Sequence, residues 1–376
     1  MTRLHVAAMP FPTVQGTQAA LRMMLDAEHA AGRAPALLSY AHGGFEHAPP
    51  WPHHRTRDLV RDRSLESGPS WRKVAQDAQL ALAVRRLQPA RTIAHHVEAA
   101  AAALAARAHE VVFFAHTALG EELPEYLTPR AARLAGRAGE ALDVALARRA
   151  WRVGAVSPWL AAHLARAAAR PVRYVPIPWA VPAPLEAAER SKARARFGLE
   201  PSAPVLVYAG NLDAYQGLEV MAAAFARLLV RRPDAWLLVA TQASSEPLER
   251  LLWPTGAAAR TRFAPLADEP DRRAAHAAAD VAWIPRRAPG GLPVKLLDAL
   301  ARGVPTVAAR RACAGIEVRD AAQVVADDDP EALAAAALLA LEGRDAARAL
   351  AARGRAYVAA HHAPETYLAA MDALEH

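Results

Sequence analysis

The chain has one cysteine, Cys313, in 376 residues. No disulfide can close within it and no cysteine cluster can hold a metal, so a buried thiol is expected. Long apolar runs are missing too: no stretch approaches the roughly 20 consecutive apolar residues that cross a bilayer. The opening Met1-Thr2-Arg3-Leu4-His5-Val6 enters a strand pattern directly, without the basic, apolar and small-residue regions of a signal peptide. A cytoplasmic protein is expected. Aromatic residues are scarce at 6%, and few lie among the basic residues. Nucleic acid is therefore not the expected partner, because bases need aromatic faces to stack on.

The basic residues are unevenly placed. The formal charge is +7, with 22 Arg and Lys against 14 Asp and Glu in residues 1–185 and 23 against 24 in the remainder. The excess is densest from Arg55 to Arg91, through Arg57, Arg61, Arg63, Arg72, Lys73, Arg85 and Arg86. Such a surface suits a phosphorylated or lipid-linked acceptor, or peripheral contact with the inner face of an anionic membrane. A solvated helix face is the other reading.

A chain of this length with 53% apolar and 22% charged residues is globular and outgrows a single core. Short apolar runs alternate with longer helical patterns, as in βαβ units on a parallel sheet. The first half gives strands at 4–8, 36–39, 92–94, 111–114, 153–156 and 172–175. Pro176-Ile177-Pro178-Trp179-Ala180-Val181-Pro182-Ala183-Pro184 then interrupts the pattern, since each proline removes a backbone donor. The alternation restarts at 205–209, 236–240, 262–264, 281–284, 306–308 and 324–326, and two alanine-rich helical patterns close the chain. The fold class predicted is α/β, with two doubly wound Rossmann-like domains. The divisions are 1–178, a linker at 179–200, 201–355, and a final helix in 356–376 that returns to the first domain. Ligands of such sheets bind beyond the carboxyl ends of the strands, hence in the cleft between the domains.

Three loops reach that cleft. Pro10-Phe11-Pro12-Thr13-Val14-Gln15-Gly16 leads into a helix whose N-terminus favours an anion, with Gly16 allowing close approach. A plain turn glycine is the alternative. The second loop, Gly210-Asn211-Leu212-Asp213-Ala214-Tyr215-Gln216-Gly217, opens the second half. The third reads Pro285-Arg286-Arg287-Ala288-Pro289-Gly290-Gly291-Leu292-Pro293-Val294-Lys295-Leu296-Leu297-Asp298. There a glycine pair precedes a helix start whose free N–H groups cradle an anion. Lys295 and Asp298, three apart, share a helix face and offer a cation for phosphate and a carboxylate for a ribose diol; an exposed salt bridge between them is the alternative.

At these residues the chain resembles a family 4 glycosyltransferase of the GT-B fold. Leu296-Leu297-Asp298-Ala299-Leu300-Ala301-Arg302-Gly303-Val304-Pro305 is similar to the family's L-L-E-A-M-A-x-G-x-P helix. The Phe11-to-Gly16 loop, Val156-Ser157-Pro158, Val175-Pro176 and Tyr208-Ala209-Gly210 match further family positions. The resemblance implies a nucleoside-diphosphate sugar on the second domain and an acceptor on the first. It also implies transfer with retention of configuration, with neither metal nor cofactor. Gly16, Gly210, Asn211, Gln216, Arg286, Arg287, Gly290, Gly291, Leu292 and Val294 are the implied donor-binding residues, and His116, Lys295 and Asp298 the catalytic ones. His116 follows the strand 111–114 where the family often has a histidine beside the donor sugar; a strand-capping histidine is the alternative. His95, His96, Glu98, Glu121 and Glu122 lie near it in sequence and invite a metal reading, which the resemblance does not support.

The fit has gaps. Asp298 shortens the second glutamate of the family's E-x7-E motif, and the first falls on Gly290. Asn211 and Gln216 stand where the family has an arginine and a lysine for the diphosphate. Lys295, ahead of Arg286 or Arg287, is expected to replace them. Polysaccharide or glycolipid assembly is the expected setting. The alternatives are a nucleotide-sugar epimerase or hydrolase of the same fold, or a silent nucleotide-sugar-binding protein.

Overall fold

The computed structural model describes residues 3–376 except 14–15, 45–48, 62–69, 289–290, 315, 317 and 319. Gly290 and Arg63 thus lie outside the described residues. Two parallel sheets carry the fold. The first holds β1 (Arg3–Ala7), β2 (Pro35–Ser39), β3 (His53–Arg55), β4 (Arg91–His95), β5 (Val111–Ala115), β6 (Arg152–Ala155) and β7 (Arg173–Tyr174), in the order β3-β2-β1-β4-β5-β6-β7. The second holds β8 (Val205–Ala209), β9 (Trp236–Thr241), β10 (Thr261–Pro265), β11 (Val281–Ile284), β12 (Thr306–Ala309) and β13 (Gln323–Val325), in the order β10-β9-β8-β11-β12-β13. In each sheet the order reverses beside the first strand, which places a crevice at the carboxyl ends of β1 and β4 and of β8 and β11.

The continuous apolar runs become strands covered on both faces by helices: every residue of β2 and β5 is buried. β3 is the strand that apolar patterning does not reveal. Its sequence, His-His-Arg, has no apolar residue, and it sits at the sheet edge with only intermediate or no burial, where charged residues discourage further pairing. Residues 187–196, within the expected linker, form a helix whose Arg190 and Arg194 pair with Asp280 of the second half.

The chain crosses back at His362. Nδ1 of His362 lies 2.7 Å from the carbonyl of Ile177, and the amide of Trp179 donates to the carbonyl of His362 at 2.8 Å. These bonds tie the proline-rich stretch to the end of the helix Arg344–His361, which packs on the helix Val294–Ala301 with Gly354 against Leu300. The final helix, Pro364–Glu375, then lies on the first sheet. Its Glu375 pairs with Arg3 (2.6 Å) and Arg91, its Asp372 with Arg33 (2.7 Å), and the Tyr367 hydroxyl donates to Glu28 (2.7 Å).

Candidate functional site

The two halves meet where the expected loops converge. Thr117, just beyond β5, forms an antiparallel bridge with Gly291. A Cβ on Gly291 would lie 2.3 Å from the carbonyl oxygen of His116, so only glycine permits this approach. Gly16, opening the helix Gly16–Ala30, faces Val294, whose Cβ would stand 3.3 Å from an added Cβ. Leu292, Val294, Leu296, Leu297 and Leu300 join the apolar cluster built on the first sheet. The helix Val294–Ala301 therefore belongs to the second domain by sequence and to the first by packing, and its N-terminal end is held at the cleft.

Lys295 extends from that helix into the loop after β8. Its Nζ donates to the Tyr208 hydroxyl (2.6 Å) and to Oε1 of Gln216 (2.7 Å), and lies 4.3 Å from the Tyr208 ring centroid. Gln216 Nε2 donates to Oδ1 of Asn211 (2.8 Å), and Asn211 donates in turn to Asp213 and to the Tyr215 hydroxyl (3.3 Å). The loop shape behind this is fixed by Gly217, at φ +73°, where a Cβ would stand 2.2 Å from the Pro285 carbonyl. Gln216 and Tyr208 thus receive the ammonium from the helix after the third loop, and Asn211 holds Gln216 in place. Burial pushes the Lys295 pKa well below the usual lysine range, Arg286 pushes it the same way, and Asp213 opposes both. A bound anion would relieve this cation.

The two arginines of the third loop part company. Arg286 is buried, donates from Nε to the Ala288 carbonyl (2.9 Å) and stacks over Tyr215 at 5.1 Å. Arg287 turns away to Asp328, at 2.9 Å. Tyr215 also faces Tyr126 of the first domain at 6.2 Å, an aromatic contact that the sequence motifs gave no sign of.

Asp298 is buried. Its carboxylate is buried against the helix Glu269–Ala278, with Oδ1 accepting from Arg302 Nε (2.9 Å) and Oδ2 near Arg272 Nη1 (3.5 Å) and His276 Nε2 (3.8 Å). Burial opposes its ionisation, but His276, Arg302 and Arg272 outweigh that and lower its pKa. Arg302 is shared with Glu269 at 2.7 Å. Both carboxylate oxygens are engaged and the side chain is 3% exposed, so these contacts tie Asp298 into the packing of its helix. The alternative salt bridge between Lys295 and Asp298 is not formed either, since each turns to other partners.

His116 is buried with its Nε2 2.9 Å from Nδ1 of His95, and its ring stacks on His96 at 4.5 Å. His95 Nε2 in turn meets Nδ1 of His5 at 2.9 Å, and His5 Nε2 lies 3.3 Å from Glu28. The clustering of His95 and His96 near His116 was visible in the sequence, but His5 and Glu28 were not, since they join it only through the pairing of β1 with β4. Among the described residues, no group of three or more His, Cys, Asp or Glu is placed to hold a metal ion.

In the basic segment, Arg55, Arg57, Leu59, Leu82, Arg86 and Leu87 line one groove. Trp71 and Val74, on the helix Trp71–Leu87, are exposed as well. Among the described residues no helix is long and apolar enough to cross a membrane.

Residues 203–343 match the family model described as glycosyl transferases group 1. No curated protein sequence matches the chain. Among solved structures, sucrose-phosphate synthase from Thermosynechococcus elongatus superposes with a TM-score of 0.81 at 18% identity, over 100% of this chain and 98% of that one. Anabaena HepE, in complex with UDP and glucose, gives 0.78 at 17% identity, over 100% and 99%. WaaG, a glycosyltransferase involved in lipopolysaccharide biosynthesis, gives 0.74 at 16%, over 99% of both. The chain therefore has the GT-B fold throughout its length, and residues 203–343 of its second half match the model of group 1 glycosyl transferases.

Proposed function

We propose that the protein is a retaining glycosyltransferase that moves a sugar from a nucleoside diphosphate to a hydroxyl of an acceptor held on the first domain. The observation that carries this reading is the insertion of Lys295 into the loop after β8, beside Gln216 and Tyr208. Gly210, whose added Cβ would stand 2.9 Å from Nζ, lies beside the cation, and the start of the helix Val294–Ala301 offers backbone N–H groups to an anion.

In this reading Lys295, Arg286 and those N–H groups hold the diphosphate, with the start of the helix at Gly16 facing it from the first domain. They neutralise the charge that develops on the leaving group as its bond to the anomeric carbon loosens. The acceptor hydroxyl attacks from the face that the phosphate leaves, and the contact between Thr117 and Gly291 closes the cleft against water. Asp298 acts at one remove, by fixing the helix that carries Lys295. No metal is needed when a lysine and helix N–H groups carry the diphosphate charge. The basic groove beside β3 is the proposed seat of an anionic or lipid-linked acceptor, with the exposed Trp71 and Val74 toward a membrane surface.

The test is calorimetric titration with UDP-, GDP- and ADP-sugars without added metal, then incubation with and without glycolipid or phosphorylated acceptors. Transfer to an acceptor, with the anomeric configuration of the product kept in its NMR coupling constants, supports the reading. Donor consumed equally with no acceptor present marks a hydrolase or epimerase instead, and binding with no turnover marks a silent binding protein.

A further inference from the structure

A line of four buried polar side chains crosses the first sheet and ends at the cleft. Glu28 stands on the helix Gly16–Ala30, His5 in β1, His95 at the end of β4, and His116 immediately after β5. None is more than 5% exposed. The links are Glu28 Oε2 to His5 Nε2 at 3.3 Å, His5 Nδ1 to His95 Nε2 at 2.9 Å, and His95 Nδ1 to His116 Nε2 at 2.9 Å. The file passes through the apolar cluster of Val6, Ile93, Ala94, Phe113 and Phe114, and a polar file through such a core is costly unless every member is satisfied.

The partners fix the direction of the protons. Glu28 also accepts from Arg3 (3.0 Å) and from the Tyr367 hydroxyl (2.7 Å). Burial opposes its ionisation, but His5, Arg3 and Tyr367 hold its pKa down at about 2, so it can only accept. A neutral imidazole has one donor and one acceptor nitrogen. His5 must then donate from Nε2 to Glu28 and accept at Nδ1 from His95 Nε2–H. His95 accepts at Nδ1 from His116 Nε2–H, which leaves the lone pair of His116 on Nδ1. Adding one proton admits the reverse arrangement, with His5 cationic and His116 protonated at Nδ1. The other groups packed around the file are His96 against His116, Glu98 and Glu122 near His96, Phe114 against both His95 and His116, and Arg91 with Glu375 beside Arg3. Burial and the like charge of neighbouring rings keep both His95 and His116 neutral. In the reverse arrangement the cationic ring is the one beside the Glu28 carboxylate, at 3.3 Å.

We infer that Glu28, His5 and His95 form a proton relay that makes Nδ1 of His116 the proton acceptor for a hydroxyl group bound in the interdomain cleft. The transfer step rests on the glycosyl-transfer reading; the polarity of the file does not. As the acceptor oxygen bonds to the anomeric carbon, its O–H bond breaks and the proton goes to His116 Nδ1. The proton on His116 Nε2 passes to His95 Nδ1, and that on His95 Nε2 passes to His5 Nδ1. The electron pair of the breaking anomeric bond leaves with the diphosphate. The proton then returns by the reverse path to the departed phosphate or to water. His116 is the residue that touches the reacting group, and His95, His5 and Glu28 are positioning residues.

The test reads imidazole tautomers by 15N NMR on the whole protein at pH 8, with signals assigned through His5→Gln, His95→Gln and His116→Gln. The wild type is expected to show Nε2–H at all three positions. Glu28→Gln presents an amide N–H to His5, so it is expected to turn the three rings to Nδ1–H and to lower kcat by about 100-fold, with the donor KM little changed. A merely structural glutamate would not move the tautomer of His116, three links away, and that result overturns the proposal. Should Glu28→Gln not fold, His95→Gln keeps an oxygen and an N–H where the ring nitrogens stood but cannot pass a proton. It is expected to lower kcat similarly while His116 keeps Nε2–H, and an unchanged kcat overturns the relay. If no donor supports transfer, the functional reading fails, and the tautomer response to Glu28→Gln still decides the relay.

Discussion

Nζ of Lys295 lies 2.7 Å from the side-chain oxygen of Gln216, 79 residues away in sequence. The helix of the third loop thus delivers a cation to the second loop, whose own positions, Asn211 and Gln216, are neutral. Much of the account follows from that placement.

Lys295→Met is expected to weaken nucleoside-diphosphate binding by about 1.5–3 kcal/mol, the range for a charge-assisted hydrogen bond. Moving the charge instead of deleting it, in Lys295→Gln combined with Gln216→Lys, should restore most of that affinity, since the ammonium then projects into the same space from the other loop. Titration calorimetry on the three proteins decides the matter, and a double variant as weak as Lys295→Met would show that the charge alone is not what matters.

Asp298→Ala should act mainly on stability. It leaves Arg302 and Arg272 with a buried charge no longer balanced, a loss of about 3–5 kcal/mol when one partner of a buried pair is removed. Urea unfolding should report that drop, while nucleotide affinity of the folded variant falls far less than in Lys295→Met. The reverse order would restore the ribose role that the sequence suggested.

Gly291→Val places carbon atoms where the His116 carbonyl stands, 2.3 Å from an ideal Cβ. The Thr117 bridge should be lost and transfer abolished, while nucleotide binding persists on the second domain. Activity equal to wild type would mean that the observed closure is not the working state.

Stability near the crossover should depend on pH through His362. Burial lowers its pKa from 6.5 to about 4, His361 adds to this, and the Ile177 carbonyl opposes it. Because the folded value lies below the unfolded one, the contribution is present above about pH 6.5 and is lost as pH falls toward 4, up to about 3 kcal/mol. His362→Asn keeps an N–H for Ile177 but does not titrate, so its unfolding free energy should fall less over that window. Equal slopes for the two proteins would remove His362 from the account.

The strands, the cleft and the three loops were legible because apolar runs of strand length and glycines before helices are local signals. The third loop carried most of the resemblance, and it is the loop whose Lys295 reaches Gln216. What was not legible depended on distant partners. The partners of Asp298, Arg272 and His276, come from another helix and leave no trace in the motif. His5 and Glu28 carry no motif at all, and only the parallel pairing of β1 with β4 aligns them with His116. β3 escaped notice because an edge strand of His-His-Arg has no apolar pattern.

The most direct test of the donor site is calorimetry with UDP, GDP and ADP and their sugars on wild type and Lys295→Met, at low salt and without metal. The account predicts one preferred nucleotide, bound by the wild type and weakened by roughly 10- to 150-fold in the variant, the equivalent of one charge-assisted contact. Equal affinity in the two proteins would contradict it, by showing that the cation placed between the loops does not meet the diphosphate.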